Sequence, residues 1–198
     1  YHGAADVSLD RIVYYPTEDL AEELKRYRAG ELHITYDVPS DQVTWLEENM
    51  ADEFHNTPYL GTYYYVINLT AEPLGADIRI RQALALAIDR EILTAKITQA
   101  GELPAYAWVP PDIDGYDQQQ TFYAAMPQAE RDAQAAALMA EAGYGPDNPL
   151  KLELLYNTSE NHKKIAVAIS AMWKKALGVE TTLTNQEWKV YLESRDQK

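Results

Sequence analysis

The chain has 198 residues, of which 46% are hydrophobic and 24% are charged, a composition typical of a globular protein. Its 31 acidic side chains against 17 basic ones give a formal net charge of -14, which would repel a phosphate backbone and argues against nucleic acid as a partner. The sequence contains no cysteine, which excludes disulfides and thiolate metal sites. It also has no apolar run of about 18 residues that would predict a membrane-spanning helix.

The first third of the chain predicts alternating strands and helices, beginning with a β-α-β unit. Hydrophobic periodicity and the positions of β-branched and aromatic residues define these segments. The predicted elements are a strand over 9–15, a helix over 17–29, a strand over 31–36, a helix over 40–49, a strand-like segment over 53–61 and a strand over 62–68. We expect Thr17 to cap the first helix and Gly30 to end it.

The stretch TYYYVIN, residues 62–68, differs from an ordinary half-buried strand. Successive side chains of a strand point to opposite faces, so Tyr63 and Tyr65 share one face while Tyr64 and Val66 share the other. A strand with one solvated face would alternate apolar and polar residues, whereas both faces are aromatic here. We therefore expect both faces to make contacts. The 15 tyrosines against 2 phenylalanines favour a surface that recognises a partner, because tyrosine joins an apolar ring to a hydroxyl.

Past Pro73 the pattern becomes mainly helical. Asp77 and Asp89 each precede a helical pattern and are the expected caps. The predicted elements are helices over 78–88 and 90–100, an irregular segment over 101–127, a helix over 130–142 ended by Gly143, a strand over 151–156, a helix over 159–177 ended by Gly178, a strand over 179–184 and a last helix from Gln186. Helical spacing within 159–177 predicts that one stripe is buried, namely Ile165, Ala168, Ile169, Met172, Trp173 and Ala176.

Known enzyme signatures are absent from the sequence. It has no GxSxG, HExxH or phosphate-binding loop, and its four histidines, His2, His33, His55 and His162, stand in unrelated contexts. Carboxylates are abundant, but on helix faces such as EDLAEEL their ordinary role is solvation. A catalytic acid and base pair chosen from them would be arbitrary, so catalysis is unsupported.

A family resemblance rests on four segments. They are DIRIRQALALAIDREIL from Asp77 to Leu93, GELPAYAWVPP, AALMAEAGY, and the long run from LELLYNTSENHKK to NQEWKVYLESR. In this order and spacing they resemble the oligopeptide-binding members of the peptide/nickel-type, family 5 solute-binding proteins of ABC importers. The DxRxRxAL…DR element resembles the broad family, and LYNTS…HKK with NQEWK resembles the oligopeptide branch. The resemblance covers essentially the whole chain.

The resemblance implies an α/β fold of the two-lobed periplasmic-binding-protein type II, peptide-binding branch, that closes on an extended peptide. Residues 1–60 would be the C-terminal part of the first lobe, 61–198 most of the second lobe, and 59–62 the hinge crossover. The implied protein is a monomer without enzymatic activity, metal or organic cofactor. It is periplasmic, or extracytoplasmic and lipid-anchored, and delivers oligopeptides to ABC permease subunits in the inner membrane. Because no signal-peptide pattern opens the chain and no closing strand ends it, we expect a fragment of a longer protein.

The resemblance also implies ligand-binding residues. Tyr36, Tyr59 and Tyr64 would line the cleft near the crossover. Asn157, Asn185 and Trp188 would line pockets in the second lobe, and the cations that meet a peptide carboxylate or acidic side chain would be Lys96, His162 and Arg195. Val66 stands where oligopeptide-binding members commonly carry a glutamate, and the aspartate that holds the peptide amino group is expected beyond residue 198. A receptor for many peptides must pair with their main chain and leave side chains in hydrated pockets.

Several alternatives remain open from the sequence. Within the family, the ligand could be a murein peptide or another peptide-like solute. From a different class, a hydrolase could act on an extended polymer through an acidic, tyrosine-lined cleft. Single residues also have structural interpretations: Trp188 and Val66 could be buried in the core, His162 could belong to a helix cap, and Asn157 could serve only the turn that follows it.

Overall fold

A computed structural model of the chain describes residues 2–57 and 59–197. Its α-helices are α1 (Leu20–Arg28), α2 (Val43–Asn49), α3 (Ile78–Leu86), α4 (Arg90–Ile92), α5 (Gln128–Glu141), α6 (Glu160–Leu177) and α7 (Trp188–Asp196). Its strands are β1 (Lys151–Asn157) and β2 (Glu180–Gln186). Short 3-10 helices at Ala4–Asp6 and Ser40–Gln42 and a π-helix at Leu93–Thr98 complete the regular structure of the described residues.

The first predicted helix is present, but its cap differs from the prediction. The Asp19 carboxylate accepts hydrogen bonds from the backbone N–H groups of Ala21 and Glu22 at 2.9 and 3.0 Å, so α1 begins at Leu20. Thr17 instead donates its hydroxyl to the carbonyl of Tyr15, so the prediction of Thr17 as cap is wrong. The short helix expected over 40–49 forms as a 3-10 turn that leads into α2.

The strands predicted over 9–15, 31–36, 53–61 and 62–68 are not strands in the described part of the chain. Backbone N–H and C=O groups of a strand need a neighbouring strand, and the one sheet that the described residues form contains only β1 and β2. The apolar side chains of the first of these segments are exposed, with Tyr14 at 83%. The β-α-β unit predicted at the start is therefore wrong.

A β-α-β unit does form near the end of the chain, where β1, α6 and β2 were predicted. The strands are parallel, with Lys151 opposite Glu180 and Asn157 opposite Gln186. The side chain of Ser159 caps α6, and Gly178 ends it at φ 71°, a left-handed conformation that favours glycine. Parallel strands need such a crossover helix between them, so sequence pattern and topology agree here.

The main core lies between α3, α5, α6 and the two strands. Its buried residues include Ile80, Leu84, Leu86, Met139, Leu154, Ile169, Trp173, Leu177 and Val179. The Trp173 indole N–H donates to the buried end of α3 at the Leu84 carbonyl, 2.8 Å away. The predicted stripe on α6 is confirmed for Ile169 and Trp173, whereas the other predicted members are half-buried and Ala166 and Leu177 are buried in their place.

Arginines of the DxRxR element hold backbone carbonyls around α3. Asp77 caps the helix by accepting from the Arg79 N–H at 2.9 Å, and its carboxylate also pairs with the Arg79 guanidinium. Arg79 donates onward to the Glu141 carbonyl at the end of α5, and Arg81 donates to the carbonyls of Leu74 and Gly75. The element that carries much of the family resemblance thus stabilises local structure.

The second predicted cap, Asp89, also forms. Its side chain accepts from the Ile92 N–H at 2.9 Å. The helix that follows is three residues of α4 and then the π-helix, which ends at Gln99 with φ 54°. The segment over 101–127 contains no helix or strand, as predicted.

By Cα proximity the chain divides into two compact units, one ending at Val38 and one beginning at Pro39. The first contains α1, and the second contains all the other α-helices and both strands. The lobe boundary expected near Gly61 concerns a longer protein and stays a prediction. Within residues 2–57 and 59–197, no helix combines the length and apolarity required to cross a membrane.

Candidate functional site

Four predicted ligand-binding residues lie at one end of the β1 and β2 pair. Asn157 is the last residue of β1 and Asn185 is the penultimate residue of β2. His162 lies in the first turn of α6, which starts just after β1, and Trp188 begins α7, which packs against β1. We call these four residues the carboxyl-terminal edge, because parallel strands that share a direction bring their carboxyl ends to the same side.

Hydrogen bonds of Thr158 fix the geometry of this edge. Its backbone N–H donates to the Gln186 carbonyl at 2.8 Å, which extends the strand pairing by one residue. Its hydroxyl lies 3.0 Å from Oδ1 of Asn185, to which it donates. The turn after β1 is thus secured without the Asn157 side chain, which is half-buried.

Trp188 is not buried in the core, whereas His162 does belong to a helix cap. Trp188 is 52% exposed and stacks on Tyr191 with ring centroids 5.8 Å apart, so it is not a core residue of the described chain. His162 does take part in the cap of α6, because its backbone N–H points to the Ser159 hydroxyl at 3.4 Å. Its ring, however, packs against Tyr63 with centroids 5.4 Å apart.

The two sides of the tyrosine segment contact different parts of the chain. On one side, Tyr63 and Tyr65 lie edge to face, 5.7 Å between ring centroids, and Tyr63 reaches His162. On the other side, Tyr64 packs on Trp108 of the irregular segment, with centroids 4.5 Å apart. Although the segment is not a strand, its side chains keep the two-sided arrangement that the sequence predicts.

Burial controls the ionisation of the tyrosines beside the edge. Desolvation raises the pKa of Tyr65 far above its ordinary value, and the hydrogen bond with Tyr63 raises it further. Desolvation also raises the pKa of Tyr63, although its hydrogen bond with Tyr65 acts in the opposite direction. Both hydroxyls therefore stay neutral at physiological pH. Together with the amides of Asn157 and Asn185, they present uncharged hydrogen-bonding groups.

The residues predicted around the crossover are exposed. Tyr59 is 81% exposed, and the neighbouring Gly61 N–H donates to its carbonyl at 2.8 Å. Tyr64 is 53% and Val66 75% exposed, so Val66 does not belong to the core of this chain. Tyr36, which lies in the first compact unit, is 89% exposed.

The predicted cations Lys96 and Arg195 lie on other elements. Lys96 is exposed on the π-helix and lines an open depression of about 430 Å³, together with Asp89, Glu91, Ile92, Ala95, Met126, Pro127, Gln128 and Arg131. None of the four edge residues lines this depression. Arg195, in the last turn of α7, pairs with Asp196 at 2.9 Å. The structure therefore groups four predicted residues and leaves these two apart.

One polar cluster was not anticipated from the sequence. The Arg131 guanidinium, 2% exposed, pairs with the Glu91 carboxylate at 2.9 Å and also donates to the Tyr106 hydroxyl. That hydroxyl in turn donates to Glu91 at 2.6 Å, and the Arg90 guanidinium lies 5.2 Å from the Tyr106 ring centroid. The cluster ties the irregular segment to α4 and α5. Its members come from three separate parts of the sequence, so no local pattern reveals it.

The pKa of Glu91 bears on the hydrolase alternative. Partial burial raises this pKa, but hydrogen bonds from Tyr106 and Arg131 outweigh it and hold the pKa below its ordinary value. A general acid at neutral pH needs a raised pKa, so Glu91 is unsuited to that role. In the part of the chain that the structure describes, no three His, Asp or Glu residues are grouped as metal ligands would be.

The match to a family model decides the classification. The model described as bacterial extracellular solute-binding proteins, family 5, middle part, matches residues 1–198. The chain belongs to this family. Family 5 comprises solute-binding transport proteins, and the family predicted from the sequence is thereby confirmed.

Two relatives with more than 40% identity to this chain are peptide-binding proteins by name. The chain is 43% identical over 196 residues to the periplasmic murein peptide-binding protein MppA of Escherichia coli, covering 99% of this chain and 36% of MppA. It is 41% identical over 198 residues to the periplasmic oligopeptide-binding protein OppA of Salmonella typhimurium, covering 100% of this chain and 36% of OppA. The chain thus spans little more than a third of these relatives.

Solved structures of family 5 members share the fold. The structure of E. coli MppA matches with a TM-score of 0.88 at 44% identity, over 92% of this chain and 36% of that chain. Haemophilus influenzae OppA in complex with the peptide RPPGFSPFR matches with a TM-score of 0.83 at 39% identity, over 90% of this chain and 35% of that chain. The unliganded open form of MppA gives 0.72, over 92% and 35%. The mixed α/β fold of the periplasmic binding proteins is therefore confirmed.

Proposed function

We propose that the chain is part of the solute-binding component of an ABC importer, which captures extended oligopeptides outside the cytoplasm and delivers them to a permease in the inner membrane. Membership of family 5 and the names of MppA and OppA, a periplasmic murein peptide-binding and a periplasmic oligopeptide-binding protein, support this function and a periplasmic location. The role is binding and release, without a catalytic step and without a metal or organic cofactor.

The observation that carries the proposal is the carboxyl-terminal edge. In open α/β sheets, ligands bind beyond the carboxyl ends of parallel strands. Asn157 and Asn185 provide amides there, and Trp188 provides an exposed aromatic surface. Such uncharged groups suit a ligand whose side chains vary, because amides and water can adapt to many partners while the main chain supplies affinity.

The lobes and the hinge are part of the same proposal. Residues 1–60 form the end of one lobe, 61–198 most of the other, and 59–62 the crossover between them. The unliganded open form of MppA has a lower TM-score than the other MppA structure at the same coverage of this chain. The matching region of MppA therefore differs in conformation between the two structures, which supports a hinge. In this arrangement Tyr36, Tyr59 and Tyr64 face the cleft.

The positive groups complete the proposed cleft. His162 belongs to the edge, whereas Lys96 and Arg195 lie on separate elements and would reach only ligands that extend toward them. These three side chains are proposed to meet a peptide carboxylate or acidic side chains. The charge of Arg195 is partly balanced by Asp196, so we assign it the smallest contribution.

Val66 is proposed to bias side-chain preference. It is 75% exposed, and the sequence pattern predicts that it shares a side of the segment with Tyr64, where a carboxylate would otherwise meet a basic ligand side chain. An apolar ligand side chain gains about 25 cal/mol per Å² of surface that it removes from water there. In the full-length protein, Val66→Glu should therefore favour tri-lysine over tri-alanine relative to the unchanged protein, and an unaltered ranking would refute this role.

A murein peptide is the second candidate ligand, favoured by the 43% identity to MppA. The decisive experiment incubates the full-length protein with an equimolar mixture of tri- to pentapeptides and murein tripeptide, and identifies the bound species by native mass spectrometry. Recovery of intact linear peptides supports the proposal, and recovery of murein tripeptide alone supports the second candidate. Cleaved products, or no bound peptide, would overturn both.

Site variants make the same experiment specific to the edge. His162→Ala should weaken binding of a tripeptide by roughly tenfold, which corresponds to about 1.4 kcal/mol for a lost polar contact. Lys163→Ala is the matched control, because this neighbouring side chain is exposed and pairs only loosely with Glu160 at 3.7 Å. If both variants bind like the unchanged protein in calorimetry, the edge is not the binding site.

A further inference from the structure

A polar contact joins the two proposed lobes at a place away from the crossover at 59–62. The Lys164 ammonium lies 3.1 Å from the Ser40 hydroxyl oxygen and 3.8 Å from Oδ1 of Asp41. Ser40 and Asp41 belong to the 3-10 turn before α2, whereas Lys164 lies on α6. In the proposed division of the chain, the turn belongs to one lobe and α6 to the other.

This contact is partly protected from water. Ser40 is 7% exposed, and the Lys164 side chain is 39% exposed, while that of Asp41 is 67% exposed. A hydrogen bond from an ammonium to a buried hydroxyl is stronger than a fully solvated ion pair, because fewer water molecules compete for its groups. The hydrogen bond of Lys164 with Ser40 is therefore stronger than its looser contact with Asp41.

The position of Lys164 connects this contact to the proposed binding edge. Lys164 lies two residues after His162 on the same helix, and the first turn of α6 begins directly beyond β1. A movement of α6 toward a ligand at the edge would carry Lys164 with it. A second contact, from the Asn56 amide to the Ala100 carbonyl at 2.9 Å, lies next to the crossover, where a rotation displaces groups little.

We infer that Lys164, with Ser40 and Asp41, forms a latch that holds the two lobes together in the closed state. The inference rests on the proposed function, because it requires a hinge at 59–62. Lys164 is a positioning residue: it stabilises the closed protein around the peptide without touching the peptide. The ligand-free open state lacks this contact, so the latch slows peptide release and leaves peptide entry unchanged.

The rival interpretation is a fixed structural contact. The second compact unit begins at Pro39, so Ser40 and Lys164 fall in one unit by proximity. If the moving parts meet at this boundary instead of at 59–62, the contact persists in the open protein and contributes to its stability. The two interpretations therefore differ in the ligand-free state, where a latch contributes nothing.

The test uses the full-length protein and three variants. Lys164→Met removes the ammonium but keeps the apolar stem, Ser40→Ala removes its hydroxyl partner, and the double variant combines them. Lys163→Met is the matched control on the exposed side of the same turn. Stopped-flow measurements with a tripeptide give association and dissociation rates, and thermal unfolding without peptide gives the stability of the open protein.

The latch predicts that Lys164→Met raises the dissociation rate roughly tenfold, with an unchanged association rate and an unchanged midpoint of ligand-free unfolding. The double variant should be no worse than Lys164→Met alone, because both substitutions remove one interaction. A dissociation rate within twofold of the unchanged protein, or a lower ligand-free midpoint, would overturn the latch. If the unchanged protein binds no tripeptide at all, the proposed function itself fails, and that outcome is distinct.

Discussion

Removing Arg131 and removing Glu91 should lower the stability of the protein by different amounts, although both changes break the same ion pair. The two side chains differ in exposure: Arg131 is 2% exposed and Glu91 is 53% exposed. Removing the arginine leaves a carboxylate that water can reach, and that carboxylate keeps its 2.6 Å hydrogen bond from Tyr106. Removing the glutamate leaves a buried guanidinium whose Nε already makes no hydrogen bond within the described residues.

The magnitudes follow from these environments. Loss of a hydrogen-bonded partner that can rehydrate costs about 1 to 2 kcal/mol, so we expect Arg131→Met, which keeps most of the apolar stem, to fall in this range. An uncompensated buried charge costs about 3 to 5 kcal/mol, so Glu91→Ala should fall in this higher range. The difference between the two variants is then about 2 kcal/mol.

Urea denaturation of the full-length protein, followed by tryptophan fluorescence, measures this difference. The separation of the two midpoints should equal about 2 kcal/mol divided by the measured denaturant dependence, which grows with the surface exposed on unfolding. Glu180→Ala is the control, because its pair with Lys151 is 57% and 76% exposed, and exposed pairs contribute less than about 1 kcal/mol. A midpoint for Arg131→Met at or below that of Glu91→Ala would refute the argument from exposure.

Three further results are expected. Because the pKa of Tyr65 is raised in the folded protein, its contribution to stability is complete below about pH 10, the ordinary tyrosine value, and is lost as the pH rises from there toward the raised folded pKa. Tyr65→Phe should therefore reduce the loss of stability at alkaline pH, measured by urea denaturation. Trp173→Phe should cost about 2 to 3 kcal/mol in the same assay, because it leaves the Leu84 carbonyl without its donor and opens a cavity; a loss below about 0.5 kcal/mol would contradict this. Gly178→Ala should cost about 1 kcal/mol because φ is 71°, whereas Gly145→Ala, without positive φ or close neighbours, should be nearly neutral, and equal effects would show that φ is not the cause.

Local sequence signals predicted those elements whose hydrogen bonds are completed nearby. Asp77, Asp89 and Ser159 cap the helices that follow them, as expected, because capping needs only a side chain and the next two or three N–H groups. The β1, α6 and β2 unit was also predicted, since both strands are present and each has the other as partner. Residues 62–68 have strand propensity but lack a partner within the described chain, so the prediction failed there.

The candidate site was predictable only in part. The resemblance selected Asn157, His162, Asn185 and Trp188, and the topology then brings these four together at one edge. The Arg131 cluster could not be predicted, because it joins residues 15 and 40 positions apart that have no common pattern. An arginine on an amphipathic helix ordinarily lies in solvent, whereas this one is buried and contacts Glu91 of α4 and Tyr106 of the irregular segment.

The exposed segment over 9–15 has a practical consequence. It combines leucine, isoleucine, valine and two tyrosines with no net charge, because Asp10 and Arg11 balance, and no sheet covers its backbone among the described residues. Uncovered stretches of high β-propensity pair readily with copies of themselves. The apparent molar mass of the isolated 198-residue chain, measured by light scattering, should therefore rise with concentration. An Ile12→Lys substitution, which places a charge where Ile12 is now 63% exposed, should keep concentrated samples clear.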